Sequence, residues 1–139
     1  MVKFSKLDPN AVIPVRKTLL AAGYDMSANE CYIILPHAIA LVGTGITATL
    51  EDDQWIDLRI RSSLALSGLM LMNGAGVVDA DYAGNEIKFM LYNASDKPVA
   101  IEAYQRIGQA IISTYHKVDD DHLYQADVRI SGFGSTGDK

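Results

Sequence analysis

Two aspartates separated by one residue are the first candidates for chemistry in this chain. They lie in segment 76–84, with the sequence GVVDADYAG, which follows an apolar run. Because residues i and i+2 of a strand point to the same side, an extended backbone would place Asp79 and Asp81 on one face and Tyr82 on the other. Two neighbouring carboxylates repel each other, so such a pair needs a cation, a hydrogen-bonded water or a cationic partner. A polar turn at the end of a strand is the alternative, and the rest of the chain has to decide.

A second group of polar residues stands at the start of a predicted helix. Arg61 is followed by Ser62 and Ser63, and a helix is predicted from there through about Leu69, with Gly68 suggesting an earlier end. Backbone N–H groups and two hydroxyls beside a guanidinium make an anion site. A serine N-cap without any ligand is the simpler explanation of the same residues.

Glycines and hydroxyls near the C-terminus offer another possible phosphate cradle. Segment 134–137 has the sequence GSTG. Glycine lets a backbone approach closely, and hydroxyls donate to oxyanions. The segment lacks the lysine and the following helix of a P-loop, so it is not a Walker A motif. Arg106 and Arg129 could add bidentate contacts to phosphate, although a single arginine is more often a surface residue.

The sequence contains no metal-binding pattern of histidine or cysteine. His37, His116 and His122 lack metal-ligand spacing to one another or to Cys31, so we expect no zinc site. The acidic run 119–121 lacks the spacing of an EF-hand loop and is expected to be a solvated linker. Asp25 follows the glycine of an AGYD segment, where an ordinary loop aspartate is the alternative to a functional carboxylate.

Composition and charge indicate a globular domain that does not coat nucleic acid. The chain has 139 residues and a net charge of −5, whereas a nucleic-acid-coating surface is strongly basic. Its one cysteine, Cys31, permits no internal disulfide and fits a reducing cytosol, so we expect a cytoplasmic protein with Cys31 in the core. The uncharged stretch 31–50 has the length of a membrane span. Pro36 and glycines interrupt it, and residues 46–50 alternate as in a strand, so we expect no transmembrane segment there.

Short apolar runs separated by turn residues indicate an all-β sandwich or barrel. Strands are predicted over residues 32–35, 39–42, 46–50, 55–60, 87–92, 99–101 and 109–115. The sequence turns polar at residue 117 and becomes rich in glycine after residue 131. We therefore expect a domain over 1–116, a connector over 117–131 and a mobile arm over 132–139, whose Phe133 covers something flat.

Taken in order, five of these segments resemble the five motifs of the trimeric dUTP pyrophosphatases, the dUTPase family. The counterparts are 22–26 (AGYDM), 61–65 (RSSLA), 73–84, 105–109 (QRIGQ) and 132–137 (GFGSTG). The resemblance implies a distorted jelly-roll β-barrel with one short helix and a flexible C-terminal arm. It also implies a homotrimer with active sites between subunits, and no nucleic-acid or membrane partner. The implied reaction is hydrolysis of dUTP to dUMP and pyrophosphate with Mg²⁺, which limits uracil incorporation into DNA and supplies dUMP for dTTP synthesis.

The same resemblance assigns roles to individual residues. Asp79 would orient and deprotonate the water that attacks the α-phosphorus, and Asp25 would hold the metal through its waters. Tyr82 would pack beneath the deoxyribose and leave no room for a 2′-hydroxyl, whereas Asp81 would support the loop or a neighbouring subunit. The other implied substrate-binding residues are Arg61, Ser62, Ser63, Asn73, Gly76, Val78, Arg106, Gln109, Arg129, Phe133, Gly134, Ser135 and Thr136.

The chain departs from the family pattern at positions that carry none of the proposed catalytic groups. The fourth motif usually has an acidic residue before its arginine and an alanine after it, where this chain has Gln105 and Gly108. The fifth motif usually follows its arginine after four residues, but residues 130–132 alone separate Arg129 from Phe133.

Two other functions are alternatives to plain dUTP hydrolysis. The dCTP deaminases and their bifunctional relatives share the fold and an Arg-Ser-Ser motif, but they usually lack the Asp-x-Asp-Tyr pattern and the glycine-rich arm. Some phage-encoded dUTPases also act as regulatory protein partners that relieve repression, and the polar stretch 117–121 could form such a surface.

Overall fold

The computed structural model describes residues 1–123 and residue 133. Within them the chain forms eleven β-strands, one α-helix (α1, Ser62–Leu66) and two 3-10 helices (Ala80–Tyr82 and Asp121–Leu123). The strands are β1 Lys3–Lys6, β2 Tyr24–Ser27, β3 Tyr32–Ile34, β4 Ile39–Gly43, β5 Ile46–Thr49, β6 Gln54–Ile60, β7 Leu69–Leu71, β8 Gly76–Asp79, β9 Lys88–Asn93, β10 Val99–Ile101 and β11 Arg106–Thr114.

The predicted all-β class with one short helix is confirmed. All seven predicted strands are present as β3, β4, β5, β6, β9, β10 and β11, with small shifts of their ends. The four strands that the sequence did not reveal, β1, β2, β7 and β8, have three or four residues each. Strands β3 and β10 are as short but consist of apolar residues, whereas β1, β2 and β8 contain polar residues or glycine. Strand β7 begins at Leu69, where the predicted helix was expected to end.

The helix differs from the prediction at both ends. Its N-cap is Arg61, which makes no side-chain capping bond, so the expected serine N-cap is wrong. Ser62 and Ser63 are instead the first helical residues, and both are exposed. The helix ends at Leu66 and not near Leu69, because Gly68 has φ +95° and turns the chain into β7.

The strands pair antiparallel in four sheets, with the orders β2-β11-β6-β8, β4-β9-β7, β1-β5 and β3-β10. No sheet closes on itself within residues 1–123, so these sheets do not form a continuous hydrogen-bonded barrel. Sequential neighbours rarely pair, as in β6, which lies between β11 and β8. These long crossings bring distant motifs onto one sheet.

One core lies between the sheets. On β9, Phe89 and Leu91 are fully buried and alternate with half-buried residues, and Ile56 and Leu58 alternate in the same way on β6. Burying one such side chain contributes roughly 1.5–3 kcal/mol. The core therefore fixes which face of the four-stranded sheet looks outward, and the functional side chains lie on that outer face.

Two further expectations are corrected. Asp79 ends β8 and the 3-10 helix Ala80–Tyr82 follows at once, so Asp79 and Asp81 do not share a strand face. Cys31 is exposed directly before β3 and is not a core residue. In the described part of the chain, no helix is long and apolar enough to cross a membrane.

Candidate active site

Asp25, Arg106 and Gln109 meet on the outer face of the four-stranded sheet. Asp25 on β2 is opposite Gln109 on β11, so the two side chains are on the same face. Arg106 Nη1 donates to Asp25 Oδ2 over 3.0 Å, and the side chains of Arg106 and Asp25 are 39% and 23% exposed. The register shifts between Arg106 and Gly108. This bulge turns Arg106 to the face of Gln109, although residues three apart in a regular strand point to opposite faces.

Gly23 provides room for the Gln109 side chain. A Cβ at Gly23 would lie 2.9 Å from Gln109 Cβ and closer still to Gln109 Oε1. Any larger residue at this position would displace the amide from its place beside Asp25. The glycine of the AGYD segment is therefore required by packing at the site.

The Arg61 segment lies at the same end of the sheet. Arg61 follows β6, and its backbone N–H donates to Ile107 O over 2.9 Å, so α1 begins beside the Arg106 bulge. Arg61 is half-buried, while Ser62 and Ser63 are exposed. We call the set at this end the Asp25 cluster; it comprises Asp25, Arg61, Ser62, Ser63, Arg106 and Gln109.

Asp79 lies at the opposite end of the same outer face. It is half-buried, is opposite Trp55 on β6, and lines an open cavity of about 460 Å³ together with Trp55, Val77 and Tyr115. The register relates it to the cluster: Trp55 is opposite Asp79, whereas Arg59 of the same strand is opposite Gln109. Asp79 is therefore four residues along β6 and two strand spacings away from Gln109. This places their backbones about 16 Å apart.

The third motif begins in the loop that connects β7 to β8, two strands of different sheets, so this connection is not a hairpin. Asn73 is exposed in the turn, and Gly74 has φ +74°. The Val78 side chain is only 6% exposed and belongs to the core, so only the backbone of Val78 can reach a ligand. Gly76 has a packing reason of its own, because a Cβ there would lie 2.8 Å from Leu58 Cδ1.

Tyr82 is half-buried at the end of the 3-10 helix and packs against the core. Its hydroxyl donates to the backbone oxygen of Glu86 over 2.7 Å. The Glu86 carboxylate in turn accepts from Gly45 N over 2.9 Å. Glu86 was not among the predicted site residues. The only signal for it in the sequence was its position two residues after Gly84, the last residue of the third motif.

Several predicted site residues belong to the predicted connector and C-terminal arm. Arg129 of the connector and Gly134, Ser135 and Thr136 of the arm lie outside the described residues, as does most of both segments. Phe133 is 53% exposed with φ +55°.

The described residues contain no cluster of three or more His, Cys, Asp or Glu side chains that could hold a metal ion. Asp25 shares its Oδ2 with the Arg106 guanidinium. A carboxylate in this position is suited to bind the waters of a hydrated ion, because Mg²⁺ usually keeps several waters.

Comparisons with known proteins identify the family of this chain. The model of the dUTPase family matches residues 9–137. The chain is 39% identical to deoxyuridine 5'-triphosphate nucleotidohydrolases from Helicobacter pylori and Wolinella succinogenes, over 98% of this chain and 96% and 93% of those proteins. The crystal structure of a dUTPase from Streptococcus mutans superposes with a TM-score of 0.77 at 33% identity, over 84% of this chain and 98% of that one.

A phage enzyme is more distant. The dUTPase of Staphylococcus bacteriophage 80alpha superposes with a TM-score of 0.78, over 99% of this chain and 98% of that one, but at 22% identity. That likeness shows the fold alone and does not favour the regulatory alternative. The family match and the bacterial relatives over nearly the whole length show that this chain belongs to the dUTPase family.

Proposed function

We propose that this chain hydrolyses dUTP to dUMP and pyrophosphate by attack of water on the α-phosphorus. The observation that carries the proposal is the assembly of the first, second and fourth motifs into one Asp25 cluster, which comes from three separate parts of the sequence. The names of the relatives at 39% identity support the same substrate.

The Asp25 cluster offers the donors that a triphosphate needs. Ser62 and Gln109 contact phosphate oxygens, with Arg61 and Ser63 beside them, and Arg106 adds positive charge next to Asp25. Hydrolysis of a phosphoanhydride depends mainly on charge neutralisation and on a well-placed water. The connector would contribute Arg129 near the phosphates, and the arm would contribute Gly134, Ser135 and Thr136 near the γ-phosphate.

Asp79 is the proposed base. Its carboxylate lines an open cavity, where a water can reach it. It takes a proton from the attacking water, and the phosphorus–oxygen bond to the pyrophosphate leaving group then breaks. Asp81 supports the loop or a neighbouring subunit.

The third motif selects the nucleoside. Asn73 and the backbone around Gly76 and Val78 read the edge of uracil. The Val78 side chain lies in the core, so this residue can contribute only through its backbone. A cytosine would leave donors and acceptors unpaired. Tyr82 packs beneath the deoxyribose and excludes a 2′-hydroxyl, and Phe133 closes over the base with the arm, which excludes water.

A Mg²⁺ ion fits this site when the substrate supplies its direct ligands. Asp25, held by Arg106, would contact the waters of the ion. Bound in this way, the ion would neutralise the charge of the triphosphate. The solved structure of a mutant dUTPase from phage phi11, a fold relative at 18% identity, concerns the coordination of a structural Mg(II) ion.

A second copy of the chain is needed to complete the site. Asp79 lies about 16 Å from Gln109 within one chain, too far for both to act on one triphosphate α-phosphorus and its ion. We therefore propose a homotrimer in which Asp79 and Tyr82 of one subunit join the Asp25 cluster of the next. The outer face of β4-β9-β7 exposes Ile39, Leu41, Met70 and Met72 to 42–53%, an apolar surface that such an assembly would cover. We also propose a cytoplasmic location, which fits a dUTP substrate.

Release of pyrophosphate from dUTP, UTP, dTTP and dCTP, with and without Mg²⁺, tests the proposal. We expect rapid release from dUTP alone and only with Mg²⁺. Ammonia release from dCTP would instead indicate a deaminase, and equal rates with dUTP and dTTP would contradict a uracil-specific site.

A further inference from the structure

Glu86 fastens the loop that carries Tyr82 to the turn between β4 and β5. Its Oε2 accepts from the backbone N–H of Gly45 over 2.9 Å, in a partly buried position. The carboxylate also lies against Gly43, where an added Cβ would be 3.3 Å from Glu86 Cδ and closer still to Oε2. Gly43 and Gly45 are both buried, and Gly45 has φ +68°. The turn therefore has a backbone shaped to receive this one carboxylate.

Other contacts hold the two ends of the same loop. Gly84 N donates to Thr47 Oγ1 over 2.9 Å, and Ile87 N donates to Ile46 O over 2.8 Å. The buried Thr44 hydroxyl donates to Ile87 O over 2.7 Å. Among these bonds the Glu86 carboxylate is the charged member, and charge-assisted hydrogen bonds are roughly twice as strong as neutral ones.

The position of the Tyr82 ring depends on the position of Glu86. The Tyr82 hydroxyl donates to the backbone oxygen of Glu86 over 2.7 Å, so the loop closes on its own tyrosine. That oxygen belongs to the same planar peptide unit as Ile87 N, which donates to Ile46 O, and the Glu86 carboxylate is a second anchor of the same residue. Loss of the carboxylate would leave the peptide unit held at Ile87 alone, so the phenol would have a less firmly fixed acceptor. The position of the ring thus depends in part on a side chain that it does not touch.

We propose that Glu86 is a positioning residue for sugar selection, which acts by holding the Tyr82 ring against the deoxyribose. The inference rests on the proposed function, since it takes Tyr82 as the group that excludes a 2′-hydroxyl. Glu86 contributes no contact to the substrate; it fixes the distance between the ring and the sugar. Shape-based exclusion of this kind is sensitive to small displacements.

The test compares kcat/KM for dUTP and for UTP in the wild type and in Glu86→Ala, Glu86→Gln and Glu102→Ala. In Glu86→Ala the ratio of dUTP to UTP should fall by about tenfold, at the low end of discrimination by shape. Glu86→Gln keeps an oxygen that can accept from Gly45 N and should retain most of the selectivity. Glu102 is an exposed glutamate elsewhere on the surface, and its alanine variant should match the wild type.

Thermal unfolding of each variant separates selection from stability. A Glu86→Ala variant that loses activity on dUTP and UTP by the same factor, with a lower Tm, would show a merely structural role and overturn the inference. An unchanged ratio would overturn it as well, while leaving dUTP hydrolysis by the wild type intact. Absence of pyrophosphate release from dUTP by the wild type would overturn the proposed function, and this inference with it.

Discussion

Arg106 and Gln109 lie three residues apart on one strand, yet both face Asp25. The bulge between Arg106 and Gly108 supplies the extra residue, so that Arg106 is opposite Ser27 while Gln109 is opposite Asp25. The Arg106 guanidinium then reaches back to Asp25 Oδ2 over 3.0 Å. Bulges commonly redirect side chains beside functional sites. Here the bulge converts two residues that a regular strand would place on opposite faces into neighbours of one carboxylate.

Removal of the Arg106 guanidinium should therefore impair Asp25. We expect Arg106→Ala to lower kcat for dUTP by about tenfold or more and to raise the Mg²⁺ concentration needed for half-maximal rate, because the carboxylate loses a charge-assisted bond. Arg106→Lys keeps the charge without the planar fork and should be intermediate. Steady-state rates over a Mg²⁺ titration measure both effects.

The Arg59–Asp57 pair provides a matched control for this variant. Arg59 Nε and Asp57 Oδ1 are 2.9 Å apart on the same outer face, where Arg59 is opposite Gln109 but pairs with Asp57 and not with Asp25. Arg59→Ala should leave the Mg²⁺ dependence unchanged. If Arg106→Ala also left kcat and the Mg²⁺ dependence unchanged, its pairing with Asp25 would have no part in the reaction.

Gly108 should be intolerant even of alanine. A Cβ at Gly108 would lie 2.9 Å from Phe89 Cζ, with Phe89 Cε2 and the Arg59 backbone oxygen closer still. Because Phe89 is fully buried and Arg59 O is backbone, neither can move cheaply. We expect Gly108→Ala to lower the free energy of unfolding by about 1–3 kcal/mol, the usual cost of overpacking, as measured by urea denaturation.

Gly74→Ala is the comparison for this variant. Nothing lies within 4 Å of a Cβ at Gly74, so its cost comes from the positive φ alone. Equal stability of Gly108→Ala and the wild type would mean that β11 can shift, and that the glycine is not required by Phe89.

The Gly108 case shows what the sequence could and could not predict. Short apolar runs between turn residues predicted seven strands, because each run supplies residues to the core, and the ordered motifs indicated the candidate residues. The family usually has alanine at the position of Gly108. Glycine suits this chain there because the Phe89 ring leaves no room for a Cβ, and Phe89 is remote in sequence. The bulge at Arg106, the 3-10 helix after Asp79 and the Glu86–Gly45 bond arise in the same way from tertiary contacts, which a local pattern does not contain.

The outer loop at Asp8 should contribute a pH-dependent part of the stability. The backbone N–H of Asn10 and then the side chain of Asn29 donate to the Asp8 carboxylate and lower its pKa from 3.8. A carboxyl whose pKa is lower in the folded state stabilises the fold above its unfolded pKa, and this is lost as the pH falls through the folded value. The Tm of Asp8→Ala should thus be below that of the wild type at neutral pH, and the gap should narrow below about pH 3.8. Exposed Asp53 offers a control alanine variant, and a gap independent of pH would contradict the assignment.

The 16 Å gap between Asp79 and Gln109 leads to a complementation experiment. Asp79→Asn and Asp25→Asn are close in shape to the wild type, and each should abolish most turnover, since the first removes the proposed base and the second removes a charge from the proposed Mg²⁺ site. If the site takes Asp79 from one subunit and Asp25 from the next, a trimer that contains both variants has one intact site. Random assembly of equal amounts should then restore about a quarter of the wild-type sites, because three quarters of such closed trimers are mixed and one site in three is intact. The activity of co-refolded variants, compared with each variant refolded alone, measures this recovery. A site formed within one subunit would give no recovery at any mixing ratio, and the apolar face of β4-β9-β7 would then need another explanation.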